Sequence, residues 1–424
     1  MMPLLIKNAT IVTQNRKREV LKGNILIEGG TIASVGKDAD TTGQVLDASG
    51  KIAMPGLVNT HTHLAMHVFR GYGEDMPLHQ WLEERIWPAE AKQTPEEAGI
   101  SARLGFCEML RSGTTCFVEM CIHDPNHIFK AAKEAGLRGT IAQGIIDMGD
   151  SSGTKELLEN AKSVLGYRNG MLHGSVAAHA PHTCSEELLL KTKELARKNK
   201  LKYQIHVSET RKEVFEVLKK TGKYPYEYLE SIGLMDEDSI FVHGGWLTKR
   251  EIGLAGKRRI SMCACPVSSL KLATGGIAQI KELDSSGASV CLGTDSVASN
   301  NSMNMFETMK MAALLQKFHY WKADAIPAQR VLDFATIGGA RAAGFDSGAI
   351  EAGKPADIVL LEKGPNLRPG HDIVSNLVFS AGPQNVTDVV VNGRLVLQDR
   401  HILTLDEPAV MEKANELAGE IMER

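Results

Sequence analysis

Leu57-Val58-Asn59-Thr60-His61-Thr62-His63 is an apolar run that ends in two histidines two residues apart. On a β-strand such residues point to the same side, so both imidazoles can face one ion. H-x-H alone equally describes two surface histidines on a loop, and the surrounding chain has to decide. Seven further apolar strand candidates follow: Thr114–Met120, Gly139–Ile146, Gly174–His179, Tyr203–Val207, Ile240–His243, Ile260–Ala264 and Val290–Gly293. Helical segments separate most of them. Thr94 with Glu97 and Thr210 with Glu213 have the spacing of capping boxes, Pro95 suits a first helical position, and a helix opening at Asp124-Pro125 can end at Gly136. Eight strands alternating with helices predict an α/β protein, a (β/α)8 TIM barrel over 56–347.

The two ends of the chain have a different texture. Leu4–Ile6, Ile11–Thr13, Ile25–Glu28 and Ile32–Val35 are short extended pieces punctuated by glycines. Asp357–Leu361 and Val389–Val391 repeat that texture, and Asn392-Gly393 is a strong hairpin signal. The expectation is one small β-sandwich domain built from both termini, 1–55 and 348–424, with Pro408–Arg424 helical.

Composition removes several function classes. The 424 residues carry a net charge of -3 with Lys and Arg scattered, so neither nucleic acid nor an anionic membrane is an expected partner. No apolar run approaches the ~20 residues of a membrane helix, and Met1–Thr13 lacks the features of a signal peptide. Seven cysteines without a C-x-x-C pair read as reduced and structural, which points to the cytoplasm.

Chemistry gathers at the strand ends. His206 lies in Tyr203–Val207, which runs into Ser208 and Glu209; Ile240–Val242 runs into His243; Val290–Gly293 runs into Thr294 and Asp295. Barrel enzymes build their sites at that end of the strands. A lone histidine after an apolar strand is more often a satisfied core residue; four such events at one face argue for a metal site of His61, His63, His206 and Asp295. Three imidazoles and a carboxylate suit one divalent ion, zinc first, with ferrous iron or manganese as alternatives. Such an ion activates water. Glu209 is placed to shuttle protons, although an acid opening the helix capped by Thr210 would also be ordinary. His243 can polarise water or support a ligand. The fourth strand has no Lys that could be carbamylated to bridge two ions.

Met54 to His63, His206-Val207-Ser208-Glu209, His243, Gly293-Thr294-Asp295 and Gly353-Lys354-Pro355-Ala356-Asp357 together resemble the amidohydrolase superfamily. Arg70-Gly71, Glu74-Asp75, Trp81-Leu82, Trp87-Pro88-Ala89-Glu90 and the run Thr294 to Asn301 are similar to its methylthioadenosine/S-adenosylhomocysteine deaminase group. The resemblance implies that His61, His63, His206 and Asp295 hold the metal and that Glu209, His243 and Asp295 act in catalysis. It implies that Glu90 binds ribose hydroxyls and that Trp81 and His179, with Glu209, contact the substrate, a purine nucleoside. A homo-oligomer is the expected assembly.

The implied reaction is hydrolytic deamination of adenosine, 5′-deoxyadenosine, 5′-methylthioadenosine or, less favoured, S-adenosylhomocysteine. Trp81 is equally spaced for an apolar helix face, Glu90 equally suits a solvated acid, and His182 competes with His179. Two departures from the group's pattern stand out: Ser269 replaces an Asn after strand seven, and Gln143 stands where relatives that take S-adenosylhomocysteine tend to carry Arg. The second favours a small or apolar 5′ group. Guanine or pterin deamination, triazine hydrolysis, and a non-catalytic barrel used for assembly are the rival readings. Residues 71–90 read as a lid.

Overall fold

The computed structural model describes residues 2–36, 41 and 43–424. Eight parallel strand positions form the barrel: Leu57–Thr62, Thr114–Cys121, Arg138–Ile145, Leu172–Gly174 continued by Val176–Ala178, Tyr203–Val207, Ser239–His243, Ser261–Ala264 and Ser289–Leu292. Each pairs in parallel with the next. The first and last meet where Thr60 Oγ1 donates to the Leu292 carbonyl at 2.7 Å and Asp295 N donates to the His61 carbonyl at 3.0 Å. All eight expected strands are present, their ends shifted by one or two residues.

The strands read as unbroken apolar runs because both of their faces are buried. Val58, Val118, Val242, Cys263 and Cys291 fill the barrel interior, while Leu57, Phe117, Ile205 and Phe241 turn outward to the helices. Thr94 with Glu97 and Thr210 with Glu213 are capping boxes, and Thr248 with Glu251 is a third. Gly136 ends its helix in the left-handed region at φ 74°.

Both ends of the chain enter one nine-stranded sheet. The expected pieces Leu4–Ile6 and Ile11–Thr13 are a single strand, Leu4–Val12, because a bulge at Asn8 (φ 63°) absorbs the interruption. That bulge divides the strand's partners. Its first half pairs with Gln44–Asp47 and its second half with Lys51–Pro55. Alternate residues then serve two cores: Ile358 and Leu360 face the sheet's own core with Ile6, Ile27 and Leu46, whereas Val359 and Leu361 pack on the barrel.

The closing helix, Glu407–Glu423, leaves the sheet and lies on the barrel. Leu417 and Ile421 pack with Phe69, Trp81 and Ile86, and Arg424 pairs with Glu97 at 2.7 Å. The lid between Gly71 and Glu90 contains a π-turn over Leu82–Ile86, where the Trp87 amide reaches back five residues to the Leu82 carbonyl. Pro88 accounts for this, since it has no amide to give and its ring would strike the carbonyl four residues earlier. Among the described residues, no helix is long and apolar enough to cross a membrane.

Candidate active site

Four strands deliver the site. His61 sits in the first, with His63 just beyond it; His206 lies in the fifth, His243 closes the sixth, and Asp295 follows the eighth. The ligand atoms of His61, His63 and His206 lie within 4.8 Å of one another, as do those of Glu209, His243 and Asp295. Asp295 Oδ1 is 3.5 Å from Nε2 of both His61 and His63. His206 Nε2 is 3.2 Å from His61 Nε2. Glu209 Oε2 is 3.5 Å from His243 Nε2. The ring nitrogens turned away from the centre are anchored in two cases: His63 Nδ1 to the Met120 carbonyl at 2.6 Å, and His206 Nδ1 to the His179 carbonyl at 2.8 Å. Such outer bonds fix the ring and leave Nε2 as the ligand atom.

The backbone is bent to achieve this. Ser208, His243 and Asp295 all have positive φ, 56°, 77° and 66°, a region that non-glycine residues enter uncommonly. Gly293 permits the close approach of three strands, because a Cβ there would lie 2.8 Å from His61 Cβ and 2.9 Å from Cys263 Sγ.

The electrostatics suit a cation. Burial, reinforced by His61, pushes His63 down to about 4, and burial takes His206 well below the usual imidazole range. These rings are neutral and free to donate lone pairs. Burial alone would raise the Asp295 carboxyl; the His61 hydrogen bond and the surrounding imidazoles hold it well below the ordinary value. Ser296 N donates to Asp295 Oδ1 at 2.7 Å, and Ser268 Oγ and Ser299 Oγ donate to Oδ2 at 2.6 and 3.0 Å. Glu209 is the opposite case: burial, then Asp295 and Glu213, lift its carboxyl well above the ordinary range. The buried Nδ1 of His61 has no protein partner. Three imidazoles and a carboxylate converging at these distances fit one divalent ion.

Beside this centre opens a cavity of about 440 Å3. His63, His206, Glu209, His243 and Asp295 form its floor, and Leu78, Trp81, Leu82 and Trp87 of the lid roof it. Trp81 lines the cavity and is also wedged in an apolar cluster with Phe69 and Ile86, its Nε1 donating to the Tyr72 carbonyl at 3.2 Å. Glu90 is buried at the cavity wall, no protein donor reaches its carboxyl, and burial pushes it up to about 7. His179 and His182 both line the cavity, with His179 Nδ1 held by Thr183 Oγ1 at 2.8 Å.

The two residues that depart from the group's pattern, Gln143 and Ser269, both stand off this cavity. Gln143 does not face the cavity; its Nε2 donates to the Ile122 carbonyl at 3.2 Å. Thr140, Ala142 and Gly144 point inward on that strand, so Gln143 points out, and Gly144, Ile146 and Met148 form the wall instead. Ser269 lines a separate small cavity, while its neighbour Ser268 holds Asp295.

Sequence reasoning also passed over Glu119 and read Glu213 only as a helix cap. Glu119, buried within the second strand, accepts from Leu64 N at 2.8 Å and from Thr62 Oγ1, bracketing His63. A lone acid inside the apolar run Thr114–Cys121 was the available signal.

A family model described as "Amidohydrolase family" matches residues 52–396. Among curated proteins, the chain is 41% identical over 411 residues to the 5′-deoxyadenosine deaminase of Methanosphaera stadtmanae, covering 95% of each sequence. It is 38% identical over 407 residues to the 5-methylthioadenosine/S-adenosylhomocysteine deaminase of Thermococcus onnurineus, again covering 95% of each. Among solved structures, an adenosine deaminase from Xanthomonas campestris with bound zinc superposes with a TM-score of 0.92 at 32% identity, covering 99% of each chain.

Proposed function

We propose that this chain, which belongs to the amidohydrolase family, hydrolytically deaminates an adenosine derivative to the inosine analogue and ammonia. The observation that carries this reading is the pairing, in one cavity, of Glu209, placed 3.5 Å from His243 Nε2 with its carboxyl raised by burial, and a buried Glu90 that no donor reaches among the described residues. One proton donor suits a purine ring nitrogen, and one buried acceptor suits the vicinal hydroxyls of a ribose. Substrates without a sugar, such as guanine, a pterin or a triazine, leave Glu90 without a partner.

His61, His63, His206 and Asp295 are the proposed holders of one divalent ion, which supplies Lewis acidity and lowers the pKa of water toward ~7. Zinc is the proposed ion, on the strength of its donor set. In this scheme Glu209 gives its proton to the ring nitrogen beside C6, making that carbon electrophilic as the water oxygen adds to it. Asp295 accepts the water proton. His243, whose ring burial pushes down to about 3, offers a neutral contact to the new oxygen. The proton held by Asp295 then passes to the amine as the C6–N bond breaks and ammonia leaves, and the proton of the new C6 hydroxyl returns to Glu209, which gives the keto product and restores the acid. The roof and its apolar side chains keep bulk water away from these charges.

The favoured 5′ group is small or apolar, as in adenosine, 5′-deoxyadenosine or 5′-methylthioadenosine. Support comes from the cavity wall: among the described residues, no Lys or Arg lines it to meet an amino-acid carboxylate. His179 and Trp81 are proposed as substrate contacts. Residues 1–55 with 348–424 and residues 56–347 are proposed as the two structural units. A cytoplasmic setting is supported by seven free, buried cysteines. A homo-oligomer is supported by Phe318 and Trp321, 78% and 93% exposed at the end of one helix.

The test is to incubate zinc-loaded protein with a panel of adenosines and follow the adenine absorbance. Conversion of the 5′-deoxy and 5′-methylthio nucleosides supports the reading; silence across the panel overturns it.

A further inference from the structure

Among the described residues, three helices open on a Thr-x-x-Glu capping box, and one of the three departs from the other two. In the boxes at Thr94 and Thr248, the third-residue glutamate accepts the N-cap amide at 2.8 and 2.9 Å. At Thr210 that bond is the weakest of the set, 3.4 Å. Glu213 instead puts Oε1 on Ser208 N at 2.7 Å and Oε2 on Glu209 N at 3.0 Å. These two amides precede the helix and lie outside an ordinary capping box.

The amides that Glu213 binds belong to a strained turn. Ser208 holds φ 56° immediately after the strand that carries His206. The turn redirects the chain so that the Glu209 carboxyl lies 3.5 Å from His243 Nε2 at the cavity floor. Trp246 N donates to the Ser208 carbonyl at 3.1 Å, but among the described residues nothing else bonds the Glu209 amide and Ser208 Oγ is buried without a partner, so on their own amides Ser208 and Glu209 are held by Glu213. Three backbone amides converge on one buried carboxyl, which among the described residues pairs with no Lys or Arg and has the His182 ring 3.9 Å from its Oε1. A helix start alone does not require this arrangement.

We propose that Glu213 is a positioning residue for Glu209, holding the 208–210 turn in the conformation that places the Glu209 proton at the reacting ring. The proposal rests on the reading of Glu209 as proton shuttle. In Glu213→Gln one acceptor oxygen becomes an NH2 group facing a backbone N–H, so one of the two strong bonds is lost whichever way the amide turns.

The experiment is a double-mutant cycle on the zinc-loaded enzyme, read with two probes. One is the nucleoside substrate; the other is a purine ribonucleoside with a tetrahedral, hydroxyl-bearing carbon at the reacting position. Glu213→Gln is expected to lower kcat and affinity for the tetrahedral ligand by about 30-fold, as misplacement of a catalytic group does, while changing KM by less than about threefold. In a Glu209→Gln background the same change is expected to alter tetrahedral-ligand affinity by less than about threefold, because the group it positions is already disabled. A full additional loss in that background overturns the proposal. So does an equal loss for both probes, or no loss at all. If Glu209→Gln itself is harmless, the shuttle reading fails, an outcome distinct from additivity, and the positioning role goes with it. Should Glu213→Gln not fold with its metal, Glu213→Asp, which withdraws the same carboxylate by one methylene, carries the same cycle to the same outcomes.

Discussion

His206 Nδ1 meets the carbonyl oxygen of His179 at 2.8 Å, across two adjacent barrel strands. A backbone carbonyl accepts only, so it fixes the proton on Nδ1 and turns the lone pair of Nε2 toward His61. The fifth strand thus presents a ligand whose orientation is set by the main chain of the fourth.

Because the imidazole ring pKa values are depressed by burial, the site without its ion holds lone pairs and a carboxylate with no compensating cation. Chelation is expected to abolish activity and lower Tm, with zinc restoring both. Stabilisation at a hundredfold excess of ion over Kd is about 2.7 kcal/mol. Differential scanning calorimetry with and without chelator measures it; an unchanged Tm contradicts the site.

Ser268 donates to Asp295 Oδ2 at 2.6 Å, supported by Ser299 at 3.0 Å. Ser268→Ala removes the shorter bond and is expected to weaken zinc binding about tenfold, as losses of outer partners do. Competition with a chromophoric chelator reads the change. Unaltered affinity contradicts the role given to that hydroxyl.

Glu90 gives a pH signature. Its carboxyl is raised by burial to about 7 from an ordinary 4.5, so the folded state favours the protonated form. Its stabilising share is whole below about 4.5 and is lost as pH rises through about 7. Glu90→Gln is therefore expected to flatten the fall in stability across that window by about 2 to 3 kcal/mol. It is also expected to raise KM for nucleosides about tenfold, as loss of a charged hydrogen bond does. Denaturant titrations at several pH values, with KM alongside, decide it; parallel stability curves and an unmoved KM contradict it.

The cavity wall makes a specificity prediction. With no cation on it, S-adenosylhomocysteine is expected to be a poorer substrate than 5′-methylthioadenosine by about 100-fold in kcat/KM, the cost of an unpaired carboxylate. Gln143→Ala is expected to leave that ratio unchanged, since the amide bonds the Ile122 carbonyl outside the cavity. Parallel kinetics on the two nucleosides test both statements.

The convergence of His61, His63, His206 and Asp295 was legible in the sequence because these residues sit at or just beyond the ends of apolar runs, and strand ends on one face of a barrel must converge. Strand parity was hidden. Arg138–Ile145 is buried on both faces, so nothing in its composition tells whether Gln143 or Gly144 turns inward. The π-turn at Leu82–Ile86 follows from Pro88, a local signal, but the place of the closing helix over the lid depends on packing between segments more than 300 residues apart. Glu213 was visible only as a helix cap; its hold on Ser208 and Glu209 requires the positive φ of Ser208, which a serine does not announce. Asn8 is similar: one left-handed residue decides how the terminal sheet is threaded.

The most direct measurement is ammonia released per mole of 5′-deoxyadenosine consumed, by wild-type and Glu209→Gln enzyme at equal zinc content. One ammonia per nucleoside, with an inosine-type product and a fall of at least about 100-fold in kcat for Glu209→Gln, is the predicted result. Ammonia release that persists undiminished in Glu209→Gln, or nucleoside loss without ammonia, would contradict the account.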